Sequence, residues 1–431
     1  MLKSLFTAVS GLRAQNLAMG IIGNNIANVN TIGFKGDRFS FADLMSASLA
    51  GSTGIQVGSG VMMSNVLPIF TQGSIVTTGN PLDLAIDGNG FFVVSNGNNN
   101  FYTRAGQFII NEDGDLITPE GYALQGWGVN EKGQIIKSMG NINLANITCP
   151  PKATESVKLK LNLDAREEVK EWNFSEGDSP PDPDTYNYST TMTIYDSLGN
   201  GHSVTVYFVK TGDNAWTAHY IYKDADGNYK EAGSQDLSFN DGSEEGKPAG
   251  SLADDNDDTA ISFDFGGGVP AVEVTFDYGT GTDEDPPGTG LDGTTQYAED
   301  SAINFISQDG NAAGSLENIS IDEDGYVVGV FSNGETKRLY RIALATFTNP
   351  WNLEKVGNNL YAVTGSSGQP LIGAPNTGEK GKILSGSLEQ SNVDLATEFT
   401  NMILTQRAFQ ANARVITASD EILTELINLK R

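Results

Sequence analysis

The sequence predicts a mainly β, multidomain protein whose N- and C-terminal helices pair into an α-helical coiled-coil domain, with nested, discontinuous β domains between them. Three observations predict this. Both ends carry apolar residues at steps of three and four, the spacing of a coiled-coil seam. The interior is glycine-rich (50 of 431 residues) and only 19% of the chain is charged, a composition of turn-rich β structure. Strand-like alternation runs to about residue 148, gives way to an acidic stretch, and resumes after residue 300.

At the start, Leu2, Leu5, Val9, Leu12, Asn16, Met19, Gly23 and Ile26 follow the heptad, and Lys3 and Arg13 are the only charges up to residue 30. The helix should stop near Asn28-Val-Asn-Thr-Ile-Gly33, where Asn and Gly supply the turn. At the end, Leu395, Phe399, Met402, Gln406, Phe409, Ala413, Ile416, Asp420, Leu423 and Ile427 repeat the pattern. A polymerisation seam is therefore expected at Leu5, Val9, Leu12, Met19 and Ile26, and at Leu395, Phe399, Met402, Phe409, Ile416 and Leu423. Asn16, Gln406 and Asp420 weaken such a seam but fix its register. Short terminal helices are marginal in water without a partner, which points to self-association.

The domain plan reads as 1–30 with 387–431 for the helices, 31–70 as an extended linker, 71–148 with 301–386 as a host β domain, and 149–300 as an inserted acidic β domain. In the host, 82–86 and 90–94 flank Asp87-Gly88, and 108–110 and 116–118 flank Asp113-Gly114. Asp324-Gly325 and Asn333-Gly334 repeat the pattern after the insert. These pairs read as tight primed hairpin turns, which need positive φ at both central residues. Within the insert, strands are expected over 190–195, 203–209, 215–222, 261–265 and 272–278. Residues 164–300 hold 30 of the 54 acidic residues and six Lys or Arg. The loops around 178–184, 254–258 and 283–287 should face solvent.

The net charge of −28 argues against nucleic acid and against an anionic membrane surface. No segment approaches the roughly twenty apolar residues of a membrane span. The N-terminus lacks the continuous apolar core of a cleaved secretion signal, so the chain is expected to stay in the cytosol or leave by a route that reads an uncleaved terminus. Cys149 is the one cysteine, so no internal disulfide forms. His202 and His219 are the two histidines, both on expected strands of the insert, and read as strand-face residues rather than metal ligands. The chain has no Walker loop, dinucleotide fingerprint or nucleophile elbow. Asn111-Glu-Asp-Gly-Asp115 and Asp224-Ala-Asp-Gly-Asn228 resemble pieces of a calcium loop without its closing glutamate. No enzyme, cofactor or metal site is read from the sequence.

The terminal segments Ser4-Leu-Phe-Thr-Ala-Val-Ser-Gly-Leu-Arg-Ala-Gln-Asn-Leu-Ala18 and Asn24-Asn-Ile-Ala-Asn-Val-Asn-Thr-Ile-Gly-Phe-Lys35 resemble the N-terminal signature of flagellar rod and hook proteins. Its signature positions here are Asn24, Asn25, Ala27, Asn28, Thr31, Gly33 and Phe34. Gly386-Ser-Leu-Glu-Gln-Ser-Asn-Val-Asp-Leu-Ala396 and Gln406-Arg-Ala-Phe-Gln-Ala-Asn-Ala-Arg414 are similar to the family's C-terminal signature. The large insert, with its Ile-Tyr-Asp-Ser-Leu-Gly-Asn-Gly-His run ending at His202, resembles hook members rather than distal rod members. The resemblance implies a homopolymer forming a curved tube between rod and filament, with the insert outermost. It also implies the hook cap, distal rod, hook–filament junction proteins and flagellar type III export apparatus as partners, and a place in the flagellar hook outside the cell. From the residues alone, an extracellular acidic β protein binding glycan or calcium stays open.

Overall fold

A computed structural model describes residues 2–44, 47–48, 56–130, 133–255, 260–283 and 287–428. The chain divides into two compact units. One holds residues 1–146, 318–330 and 336–431; the other holds 147–317 and 331–335.

In the first unit, two long helices, α1 (Leu2–Ala27) and α2 (Leu395–Asn428), pack together, and the rest is a β body. The body is stitched from both halves of the chain by antiparallel pairs. Ala123–Val129 pairs with Thr336–Ile342, Asn100–Thr103 with Leu360–Ala362, Leu84–Asp87 with Lys382–Ser385, and Ile75–Thr77 with Ser387–Glu389. Four interlocks of early with late sequence make the nested, discontinuous plan a physical fact. The body's core is aromatic: Phe91, Tyr102, Phe347 and Tyr361 are buried together with Val93 and Leu353. Tyr102 meets Phe347 edge-on at 4.8 Å, and Phe70 meets Phe91 at 5.3 Å, the geometry that ring quadrupoles favour.

The second unit is a β-sandwich. A five-stranded antiparallel meander runs through Tyr188–Tyr195, Gly201–Gly212, Ala215–Lys223, Tyr229–Phe239 and Leu252–Asp254. The facing sheet orders Ile261–Phe263, Val272–Asp277, Ser156–Asn162 and Ala302–Gln308. Trp216, Tyr220, Phe208, Phe263 and Phe276 fill the layer between them. Ala302–Gln308 pairs with Ser156–Asn162, so residues that fell inside the expected host segment 301–386 belong to this sandwich. The expected loops at 254–258 and 283–287 lie largely outside the described residues.

Three expectations are corrected. First, Leu84–Asp87 and Phe91–Ser95 do not pair across Asp87-Gly88; the former pairs with Lys382–Ser385 and the latter with Asn100–Thr103. A long-range partner outcompetes the local hairpin because it completes the body. Second, the Asp-Gly and Asn-Gly loops are not primed two-residue turns. Gly114, Gly325 and Gly334 have φ of 78–83°, but Asp113, Asp324 and Asn333 keep negative φ. Each loop is a right-handed turn closed by one left-handed glycine, the longer hairpin type. An Asx side chain at the loop's first residue caps two of them: Asp322 Oδ1 accepts the Tyr326 N–H at 2.8 Å, and Asn111 Oδ1 accepts that of Asp115 at 2.7 Å. The primed turn does occur at Asn358-Asn359, both at positive φ, between the paired residues Gly357 and Leu360.

Third, the histidines are not bare strand-face residues. His219 stacks on Trp172 at 4.2 Å and bonds Glu231 Oε1 at 2.6 Å. His202 stacks on Phe265 at 3.8 Å and bonds Asp196 Oδ2 at 3.1 Å. Burial by itself would raise the Asp196 carboxyl, but bonds from Asn200, His202 and two main-chain N–H groups hold it at about 2. Among the described residues, no group of three or more His, Cys, Asp or Glu is placed to hold a metal ion, and no helix is long and apolar enough to cross a membrane.

Candidate functional site

α1 and α2 lie antiparallel, and two contacts fix their register. Gly11 abuts the Asn412 side chain, and Asn25 Nδ2 donates to Glu398 Oε1 at 3.1 Å. The two pairs lie two heptads apart on each helix, and the heptad midway between them sets Ala18 opposite Thr405. Gly11, Ala18 and Asn25 are buried on α1, as is Thr405 on α2. Ala8, Ala14 and Ile22 complete the buried face of α1. The seam closing the helix pair is therefore small and polar: small residues let the axes approach closely.

This line runs one residue off the heptad read from the sequence, which picked out Leu12, Met19 and Ile26 where Gly11, Ala18 and Asn25 lie. Leu5, Val9, Leu12, Met19 and Ile26 are half-buried beside it, as are Met402, Phe409, Ile416 and Leu423. Leu395 and Phe399 are exposed. So are Phe6 and Leu17 on α1, and Ile403, Leu404, Val415 and Ile422 on α2. Leu404, Val415 and Ile422 are spaced by eleven and seven, which puts them on one side of the helix. The pair thus hides its small residues and presents its large apolar ones.

Residues 31–70 do more than link. Asp37–Asp43 and Val61–Pro68 form an antiparallel hairpin, with Phe39 opposite Val66. It folds back along α1, where Ser10 Oγ accepts the Val61 N–H at 3.1 Å. Much of the Gly- and Ser-rich sequence between these strands lies outside the described residues.

The signature residues cluster where α1 ends. Asn25 Oδ1 accepts the Asp37 N–H at 2.9 Å and its Nδ2 donates to Asp37 O at 2.9 Å, so one buried amide holds both helix and hairpin. Asn28 Nδ2 donates to Asn24 O, and Thr31 Oγ1 donates to Asn28 Oδ1, closing the turn. Ala27 is exposed at the last turn of α1. Gly33 takes φ of 69° and packs so tightly on Ala105 that any Cβ would collide with its backbone. Phe34 is buried under the Lys355 ammonium, 5.4 Å from the ring centre. At the start of α2, Asp394 caps the helix: Oδ2 accepts the Thr397 hydroxyl at 2.8 Å and Oδ1 the Ala396 N–H at 3.0 Å, which holds its carboxyl below the usual range. Burial pushes the Glu398 carboxyl up, against the bond from Asn25.

Sequence periodicity missed the small-residue line because it weighs bulk. The signal was present: Gly11, Ala18 and Asn25 recur at seven, as do Glu398, Thr405, Asn412 and Ser419.

Comparison with known proteins places this architecture. The chain matches models of the flagella basal body rod protein over 5–35, the flagellar hook protein FlgE/F/G D1 domain over 85–162, the flagellar basal body protein FlaE D2 domain over 162–311, and the flagellar basal body rod FlgEFG protein C-terminal region over 384–429. It is 37% identical to the flagellar hook protein FlgE of Borreliella burgdorferi over an alignment of 460 residues that covers 100% of both chains. It is 35% identical to that of Escherichia coli, covering 98% of this chain and 99% of the other. The crystal structure of the Helicobacter pylori hook protein FlgE2 shares the fold with a TM-score of 0.50 at 16% identity, covering 72% of this chain and 98% of that one. Nested β units, helices paired end to end of the chain, and similarity along the whole length lead to one conclusion: the chain belongs to the flagellar hook protein family.

Proposed function

We propose that this chain is the structural subunit of a bacterial flagellar hook. Copies polymerise through their terminal helices into a curved, flexible tube that acts as a universal joint, passing torque from rod to filament. One observation carries the reading: Phe6, Leu17, Phe399, Leu404, Val415 and Ile422 stay exposed after α1 and α2 have paired. Apolar side chains in such number on one helix pair mark a surface meant for a partner. Leu395 and Phe399 contribute to that surface, and the half-buried Leu5, Val9, Leu12, Met19, Ile26, Met402, Phe409, Ile416 and Leu423 line its margin.

The acidic sandwich forms the outer layer, where wet polar contacts re-form at small cost as the long and short sides of the tube exchange. The chain works without catalysis or cofactor. It leaves the cell through the flagellar type III apparatus without a cleaved signal, grows under a hook cap, and joins the distal rod below and the hook–filament junction proteins above. The D2 match over 162–311 supports the hook over a distal rod subunit.

Negative-stain microscopy of the full-length protein beside a version lacking residues 1–70 and 386–431 tests the reading. Curved tubes from the full-length chain alone are expected. Monomers from both, across salt and protein concentration, would sink it in favour of an acidic glycan- or calcium-binding protein.

A further inference from the structure

A fully buried charge cluster lies at the junction between the helix pair and the β body. Glu389 Oε1 accepts Lys35 Nζ at 2.5 Å and the Gly73 N–H at 2.8 Å, while Oε2 accepts Arg104 Nη1 at 3.3 Å. Lys35 Nζ also donates to Thr71 O at 2.8 Å, and Arg104 Nη2 donates to Gly88 O at 2.8 Å. Side-chain exposure is 0% for Lys35 and Glu389 and 4% for Arg104. Burial drives both cations toward lower pKa, and Glu389 opposes it.

The position of the cluster gives it meaning. The chain passes between helices and body along three segments: 28–36 leaving α1, 69–74 returning from the hairpin, and 389–394 entering α2. All three are tied here. Gly33 N–H donates to Glu389 O at 2.8 Å. Asn392 Oδ1 accepts the Gly36 N–H at 2.9 Å, and its Nδ2 donates to Ile69 O at 2.7 Å. Arg104, from the body, is the fixed side of the joint.

We propose that Lys35, Arg104 and Glu389 form a pin that sets the direction in which the terminal helix pair leaves the β body, with Glu389 the positioning residue. The proposal deepens the hook reading, since the consequence for tube curvature rests on it. Buried ion pairs are poor stabilisers compared with apolar packing, but their bonds are directional. Turning the helix-side segments against the body would break charge-assisted bonds at side chains that bulk solvent does not reach. An apolar cluster of equal volume would resist separation but tolerate rotation. Two cations around one carboxylate also make the cluster intolerant of losing its anion.

The test uses the full-length protein, Glu389→Gln, and the triple variant Lys35→Met, Arg104→Met, Glu389→Leu, compared by thermal melting, hydrogen exchange and microscopy of tubes. Glu389→Gln should lower the melting temperature by roughly 5–10 °C. It should speed exchange on the order of tenfold or more in peptides spanning 30–37, 69–75 and 389–394, while the 91–95 strand stays protected. The triple variant should regain the melting temperature but not that local protection, and its tubes should lose the wild-type curvature. Unchanged exchange in the three segments, or wild-type curvature in the triple variant, overturns the pin. If the triple variant does not fold, Glu389→Asp, which keeps the charge but shortens its reach, supplies the same comparison. If the wild-type chain makes no tubes, the hook reading falls, and local exchange still decides the pin.

Discussion

A Cβ built on Gly11 would lie 2.8 Å from Nδ2 of Asn412, so the two terminal helices touch where one has no side chain at all. Asn412 is itself held by a bond from Nδ2 to Ala408 O at 3.0 Å. Gly11→Ala should therefore cost little, since Asn412 can swing aside and alanine favours helix by about 1 kcal/mol. Gly11→Leu has no such escape and should cost about 1–3 kcal/mol of pairing. Helical circular dichroism during melting checks both, with lost tube formation expected for the leucine variant only.

The exposed stripe on α2 separates assembly from folding. Leu404→Glu and Val415→Lys change residues 59% and 43% exposed, so subunit stability should move by no more than about 0.5 kcal/mol. Assembly should be abolished. Equal losses of subunit melting temperature and of tubes would show that the stripe packs within one copy.

Glu398 makes the helix seam pH-sensitive. Its folded pKa is raised by burial, so its contribution to stability is full below the ordinary carboxylate pKa and is lost as pH rises through the raised value. Glu398→Gln keeps an acceptor for Asn25 without the charge. It should stabilise the helix pair at pH 7 and flatten the fall in its melting temperature as pH rises above the ordinary carboxylate pKa. A variant less stable than wild type at pH 7 would contradict this sign.

Two loop glycines with the same backbone twist should respond differently to alanine. Gly114 (φ 82°) packs against Ala145, whose backbone and Cβ a new methyl group would strike. Gly121 (φ 90°) has open space within 4 Å. Gly121→Ala should cost about 1 kcal/mol of strain. Gly114→Ala should cost about 2–4 kcal/mol, strain plus collision, read from denaturant unfolding of the purified protein.

Much of the protein was legible in its residues because local chemistry speaks directly. Heptad spacing located α1 and α2, and alternation found Ala215–Lys223 and Val272–Asp277. The shift to acid marked the sandwich. Sequence by itself determined that both ends are helix and where several of the interior strands lie, because those depend on periodicity within one segment.

What each element meets was decided by the tertiary structure. Leu84–Asp87 passes over its neighbour for a strand almost three hundred residues on, because burial rewards long-range pairing once the body has closed. The seam settles on Gly11, Ala18 and Asn25 rather than on Leu12, Met19 and Ile26, because two helices can approach only as closely as their side chains allow. Nothing read along the chain pairs Lys35, Arg104 and Glu389 with one another. Three distant segments must fold together before their charges can share one buried site, and no local pattern encodes that meeting.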